Sequence, residues 1–341
     1  MKKSIAILLV ILLFSTMILG GCGSTAKTDG KAEKSDKTYT IKVATWFAQD
    51  HPQVAALTKF KEIVESKSQG KIKVQIYPNS QLGSEETYID SVKNGTVEMG
   101  VTGTMPSKFH GPVALAEMPF LFDGWEHAYK VFMGPIADEI GEPLKQKAGF
   151  RTLAWTVNGF RVFSSRFEIN DMGDFKGMRL RVPNVPNYVK MAEGLGANPV
   201  ALAFNELFTA LEQKVVDGQD NPYATVRASS FYEVQPYMLH SHHMFSPAIW
   251  IFNEKLFQSM SKEYQDIITS AAKEAAEFNW KSAIEKEKED MEFLKSKGIK
   301  IHIPDENFKA QMRESQKAVE EWYYEKYPET KELVKKIRAV K

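Results

Sequence analysis

Cysteine is almost missing from this chain: one residue, Cys22, in 341. No internal disulfide can form, and the body of the protein has no thiol to use as a nucleophile. Long apolar runs are equally scarce. Only Ile5 to Leu19 is uncharged and largely apolar over such a length, and it is too short and too poorly flanked for a membrane span. Neither sign of charge dominates, since 44 Lys and Arg stand against 43 Asp and Glu for a net charge of +1. No strongly basic face is implied, which argues against nucleic acid as a partner. The sequence has no GxxxxGK[ST] loop, no GxGxxG after a strand, no HExxH and no GxSxG. Nucleotide binding and the common hydrolytic chemistries therefore have no support, no cofactor is expected, and the chain does not read as an enzyme.

The amino terminus carries a signal. Lys2 and Lys3 precede the apolar run, which ends in Gly20 and Gly21 before Cys22. A positive start, a short apolar stretch and small residues at the cut define a secretory leader. The segment LGGC, Leu19 to Cys22, resembles the bacterial lipoprotein signal, in which the cysteine is lipidated and becomes the new terminus. Residues 1–21 are then the leader, and 22–37, small, polar and rich in lysine, a flexible tether to a membrane anchor. Losing Lys2 and Lys3 takes the net charge from +1 to −1.

From Thr38 onward strand and helix patterns alternate. Tyr39 to Thr45 reads as a strand, and Pro52 to Ser68 as a helix with Val54, Leu57, Phe60 and Val64 at helical spacing. Lys71 to Tyr77, Glu85 to Asn94 and Val97 to Thr102 continue the β-α-β order, which predicts a parallel sheet. A second set follows: strands at Arg151 to Val157, Arg161 to Ser164 and Met178 to Val182, helices at Asn187 to Leu195 and Asn205 to Glu212, and a strand at Val215 to Gln219. The apolar strands Met238 to Phe245 and Ala248 to Phe252 are expected to carry the chain back between two lobes. Ser261 to Lys297 lacks glycine and proline and predicts one long helix across both.

The segment GMRLRVP, Gly177 to Pro183, reads as a turn, a strand and a proline stop. Alternation sets Met178, Leu180 and Val182 on one face and Arg179 and Arg181 on the other. Arg181 falls near the carboxyl end of the strand, the end outside which open α/β sheets bind ligands. Its planar fork of donors suits a carboxylate or phosphate, although a structural arginine paired with Asp or Glu is the competing reading. His240, His242 and His243 are the one candidate metal cluster, but strand alternation sends His243 away from the other two. Ordinary hydrogen-bonded histidines are the expectation, and no metal site is assigned. Glu85 and Glu86 open a helix, where they favour its dipole, and one of them could face a pocket.

Several separated stretches carry a family resemblance: SQGKIKVQIYPNSQLGSEE (Ser68 to Glu86), GTVEMG (Gly95 to Gly100), EMPFLF (Glu117 to Phe122), DFKGMRLRVPN (Asp174 to Asn184), FNELFTALEQKVVDGQDNP (Phe204 to Pro222) and FYEVQPYM (Phe231 to Met238). In this order and spacing the chain resembles the DctP-type solute-binding subunit of a TRAP (tripartite ATP-independent periplasmic) transporter. The resemblance implies an α/β, two-lobed periplasmic-binding-protein-like fold, with strands crossing between lobes, a ligand cleft and a long bracing helix. Lobe I would be 38–158 with about 247–280, and lobe II 159–246 with about 281–341. It further implies a monomer that closes on a small carboxylate and hands it to the membrane permease subunits. A sensor presenting the bound carboxylate to a membrane signalling protein is the alternative. By motif, the carboxylate-binding arginine falls on Arg181, the asparagine of the family's DGQENP motif on Asn221 of DGQDNP, and a second arginine on Arg161. Trp46, Glu85 and Phe204 complete the expected ligand set, with Asp50 and His51 as further candidates for hydroxyls. Trp46 stands where sialic acid binders have a small polar residue, and Gly103 where they have a glutamate. That argues against sialic acid and leaves C4-dicarboxylates, hydroxy or keto acids and sugar acids.

Overall fold

The computed structural model describes residues 37–341. The leader, Cys22 and the tether through Asp36 lie outside the described residues. The body is an α/β fold on a single nine-stranded sheet. Its strands are β1 (Tyr39–Thr45), β2 (Ile72–Tyr77), β3 (Met99–Thr102), β4 (Phe150–Ser165), β5 (Arg179–Val182), β6 (Asn198–Ala201), β7 (Gly218–Asn221), β8 (Tyr237–Asn253) and β9 (Lys300–His302). The order is β2-β1-β3-β8-β4-β7-β5-β6, with β9 beside β8. β1 pairs in parallel with β2 and β3 at one end, and β5 with β6 and β7 at the other.

Helix α1 (Pro52–Lys67) returns the chain from β1 to β2 and buries Val54, Leu57, Phe60 and Val64 on the sheet, as their spacing requires. Helix α2 (Glu85–Asn94) runs over the residues the pattern predicts and ends on Gly95 at φ 77°, a left-handed cap that glycine adopts without strain. Its amino end sets Glu85 beside the end of β3.

Two expected pairs of strands are single strands. Arg151 to Val157 and Arg161 to Ser164 belong to β4, and the two apolar segments around Pro247 belong to β8. The pair runs antiparallel from Phe150 opposite Asn253 to Ser165 opposite Tyr237. Asn158-Gly159 and Ser246-Pro247 read as strand breaks in sequence, yet both strands continue through them, with Asn158 the one extra residue of a register shift on β4. Gly159 sits at φ 137°, which L side chains rarely adopt, and a Cβ there would meet Pro222 at 3.0 Å. Between Arg161 and Phe163 β4 passes one residue where β8 passes four, so His240 to His243 bulge out, with His242 at φ 46°.

The long helix is Lys262–Ser296, about 50 Å at 1.5 Å per residue. It lies against α1 and β4. Asn279 Oδ1 accepts from Val157 N–H at 2.7 Å, Trp280 Nε1 donates to Trp155 O at 3.1 Å, and Asp290 pairs with Arg227 at 2.8 Å. It therefore braces the crossing strands on one side of their irregularity and the helix Tyr223–Ala228 on the other. No helix among the described residues is long and apolar enough to cross a membrane. Beyond Ser296 the chain forms β9 and the helices Glu306–Ser315, Lys317–Lys326 and Thr330–Arg338, none of which the sequence pattern resolved.

Candidate ligand-binding site

The six residues expected to hold a ligand come together. Trp46 after β1, Glu85 at the start of α2, Arg161 on β4, Arg181 on β5, Asn221 on β7 and Phe204 line one cavity of about 40 Å³. Gly103, Glu117, Tyr188 and Ser246 join them in the wall. A wider pocket of about 240 Å³ continues outward and shares Glu85, Met105, Arg181, Pro183 and Phe204. The inner space holds a few waters at most, so a ligand of sugar size needs the walls to part.

Arg161 and Arg181 are both buried, at 3% and 2% exposure, but their surroundings differ. Arg161 Nε donates to Asp220 Oδ2 at 2.6 Å, Nη2 to the Asp220 carbonyl, and Nη1 to Ser246 Oγ at 3.3 Å. Burial opposes its charge, but Asp220 outweighs this and holds the guanidinium above its ordinary range. Asp220 is likewise kept ionised against burial, by Arg161 and by His243, whose Nε2 lies 3.3 Å away. Arg161 is thus first a partner of Asp220, which sequence reasoning had placed in a motif without giving it a role.

Arg181 has no such partner. Its Nε and Nη2 donate to the Leu202 carbonyl at 3.1 and 2.7 Å, and no carboxylate among the described residues lies within ion-pair distance. Burial, and then the neighbouring Arg161, push it down to about 10, so it remains protonated at neutral pH. Asn221 donates to Gln219 Oε1 at 2.5 Å, and Gln219 donates on to Ser164 at 2.7 Å. That chain orients the Asn221 amide and leaves its second hydrogen uncommitted.

The facing wall is aromatic and acidic. Trp46 stacks on Phe47 at 3.7 Å and leans on Phe204 at 4.3 Å. Phe47 is core, at 1% exposure. The indole Nε1–H of Trp46 is buried and has no acceptor. Glu85 Oε1 accepts the Thr102 hydroxyl and, at 2.7 Å, the Gly103 N–H. A Cβ at Gly103 would stand 3.7 Å from that oxygen, so Glu85 borders the space a side chain there would enter. Burial raises the Glu85 carboxyl above its usual range. Glu117 is 3% exposed and accepts Ser246 Oγ at 2.8 Å and the Thr104 hydroxyl. Glu117 opens the EMPFLF segment, and an acid leading an apolar run was the available sign of it. Burial also lifts the Tyr188 hydroxyl well above its ordinary range.

Asp50 and His51 are not in this site. Asp50 is exposed. His51 is 2% exposed and caps α1: its Nδ1 accepts Gln53 N–H at 3.1 Å, while Nε2 meets Asn158 Oδ1 at 3.1 Å. Burial pushes it down to about 3, so it is a neutral structural ring. The other histidines are separately engaged: His240 with the Tyr223 hydroxyl at 2.8 Å, His242 with Glu287 at 3.2 Å, and His243 with Asp220. No group of ligands suited to a metal ion occurs among the described residues.

Comparison with known proteins places this geometry. A family model described as bacterial extracellular solute-binding protein, family 7 (DctP), matches residues 43–326. The 2,3-diketo-L-gulonate-binding periplasmic protein YiaO of Escherichia coli is 30% identical over 86% of this chain and 89% of its own. A TRAP periplasmic solute-binding protein of Haemophilus influenzae, solved with bound L-gulonate, superimposes with a TM-score of 0.86 at 38% identity, over 89% of this chain and all of that one. The sugar acid binding protein DctPAm of Advenella mimigardefordensis, in complex with galactonate, also has a TM-score of 0.86, at 33% identity over 89% and 98% of the two chains. These proteins share the two-lobed architecture, and the family is one of extracytoplasmic binding proteins. The present chain belongs to it: it is a DctP-family, TRAP-type solute-binding protein.

Proposed function

We propose that this protein is a lipid-anchored extracytoplasmic receptor that closes on a small organic carboxylate and delivers it to TRAP permease subunits. One observation carries the reading: Arg181 is a buried guanidinium with a carbonyl on one edge and no carboxylate. A charge withdrawn from water without a counter-ion is costly, and an incoming carboxylate relieves that cost through a bidentate, charge-assisted pair. Asn221 adds its free amide hydrogen. Arg161, anchored by Asp220, supplies positive potential behind them and its remaining N–H groups. The protein binds and does not transform its ligand.

Closure is assigned to the crossing strands. The proposed lobes, 38–158 with about 247–280 and 159–246 with about 281–341, divide where Gly159 stands opposite Ser246 and β4 carries one extra residue, Asn158, against β8. Small φ/ψ changes there swing β5 and β7 against Trp46 and Glu85. Anchoring is assigned to Cys22 on the LGGC signal, and the folded chain works as a monomer.

Calorimetry against a panel of sugar acids, hydroxy acids and dicarboxylates tests the clamp. Arg181→Ala is expected to lower affinity for the best ligand by more than about a hundredfold, given roughly 1.5–3 kcal/mol for each charged hydrogen bond lost. Near-native affinity in a folded variant would end the reading. Solution scattering should show a smaller radius of gyration at saturation.

A further inference from the structure

We infer that Glu287 of the long helix is the catch of the hinge, a positioning residue that fastens the closed form and sets how long a ligand stays without touching it. The inference rests on the closure reading of the crossing strands and adds what holds them. Separate segments meet on this carboxylate. Its Oε2 accepts the Trp125 Nε1–H at 2.8 Å, and its Oε1 lies 3.2 Å from His242 Nε2. Burial opposes the Glu287 charge, but His242 and then Trp125 outweigh it and keep the carboxyl below its ordinary range. Trp125 opens the helix Trp125–Phe132 in proposed lobe I, whereas His242 and Glu287 belong to proposed lobe II. The bond from Trp125 therefore crosses between lobes.

Place and strain both mark the hinge. Arg161 lines the cavity, so alternation along β4 turns Phe160 to the other face of the sheet. His242 stacks on Phe160 at 4.9 Å, which sets the catch behind the sheet from the cavity. The Trp125 indole covers Gly159, where a Cβ would stand 3.6 Å from the ring. His242 is held at φ 46°, a left-handed backbone that is costly for a residue with a Cβ and that gathers at switches. The bulge of β8 supplies that turn. It sends His242 to Glu287 and the next ring, His243, to Asp220, so catch and cavity wall share one bulge. The inner cavity of about 40 Å³ marks the structure as the closed form. Twisting β4 against β8 at Gly159 carries Trp125 and Glu287 apart with their lobes, and a hydrogen bond weakens steeply with length and angle. A contact made in one of two states shifts their populations by its own strength.

The test uses the full chain with L-gulonate, the sugar acid that a solved relative holds, as probe. Glu287→Gln removes the charge, and Trp125→Phe keeps a ring over Gly159 but loses the N–H. His242→Asn removes the imidazole at a backbone angle that asparagine tolerates. In stopped flow each should speed dissociation about two- to tenfold, the worth of one net hydrogen bond, with association unchanged. Combining Glu287→Gln with Trp125→Phe should give less than the product of the two effects, because both weaken one bond. The urea midpoint of the ligand-free protein should stay at the native value, since the open form does not make the contact. A lowered midpoint with native dissociation rates makes Glu287 an ordinary structural pair and overturns the inference. Scattering separates the two readings. If the native chain binds L-gulonate without becoming more compact, the closure reading fails and takes the catch with it. If it compacts while all three variants dissociate at the native rate, the catch alone fails.

Discussion

Arg179 and Arg181 stand two residues apart on one strand and on one side of it, yet they live in different chemistry. Arg179 donates Nε and Nη2 to Asp217 at 3.0 and 2.7 Å, and its backbone N–H reaches the same carboxylate at 2.9 Å. Arg166 Nε adds 2.7 Å from the other side. Both side chains remain more than two-fifths exposed. Two residues further on, Arg181 is buried and has only a carbonyl. The DGQD segment makes the difference. Asp217 takes the outer arginines, Asp220 takes Arg161, and the supply of carboxylates ends there. The arginine left over is the one beside Trp46, Glu85 and Asn221. The proposed site in this sheet is thus a shortage of counter-ions next to a place where they suffice.

Swapping guanidinium for ammonium tests that contrast most sharply. Arg181→Lys keeps the charge but loses the planar fork, and should weaken the carboxylate ligand about ten- to a hundredfold. Arg179→Lys, on a carboxylate already shared with Arg166, should leave affinity unchanged. Calorimetry on both variants with one ligand decides it, and equal losses would erase the distinction between the two sites.

Removing the outer counter-ion comes next in size. Asp217→Asn strips charge from a group serving four hydrogen bonds, and should cost about 1–3 kcal/mol of folding stability at pH 7 without changing affinity. Its pH dependence has a definite sign. Hydrogen bonds from Arg179 hold the Asp217 carboxyl below its ordinary range, so the folded state binds that proton less readily than the unfolded one. The stability it contributes is present above about pH 4 and is lost as pH falls below that value. Asparagine has no such proton. Urea unfolding at pH 7 and pH 3 should therefore show the deficit shrinking at the acid end, and a constant deficit would remove Asp217 as the cause.

Much of this was open to reading from the chain. Helix α2 runs from Glu85 to Asn94 as its pattern predicts, and the long helix differs from expectation by one residue at each end. Helices record their faces and caps locally, so their signal survives without tertiary context. The crossing strands were misread as pairs because Asn158-Gly159 and Ser246-Pro247 look like turns. Only the partner strand keeps pairing going through them: β8 passes straight from Pro247 to Ser246 while β4 bulges by one residue at Asn158. That Arg181 and Asn221 line one cavity was legible by motif. Glu117 was signalled only by an acid leading the apolar EMPFLF run, and its pairing with the hydroxyls of Thr104 and Ser246 shows only in the folded chain. His51 failed for the opposite reason: before a helix beginning Pro52-Gln53, a histidine also serves as a cap, and nothing in sequence separates that from a ligand contact. Counter-ion pairing is likewise invisible in one dimension, so GMRLRVP alone could not say which arginine would be free.

The smallest expected effect probes how the outer site tolerates loss. Arg179→Ala alone should leave folding stability nearly unchanged, as is usual for exposed ion pairs, because Arg166 stays on Asp217. Arg166→Ala should cost a similar amount for the same reason. Together they should not add. The double variant leaves a buried Asp217, 5% exposed, holding only the Arg179 backbone N–H, and an unpaired carboxylate costs more than the sum of two redundant pairs. Denaturant midpoints around that cycle should give a coupling of about 0.5–3 kcal/mol. Ligand affinity should stay flat at all four corners, since nothing in the cycle touches Arg181. Strict additivity would mean that Asp217 never depended on either arginine, and the contrast between a saturated outer site and an unsaturated inner one would lose its basis.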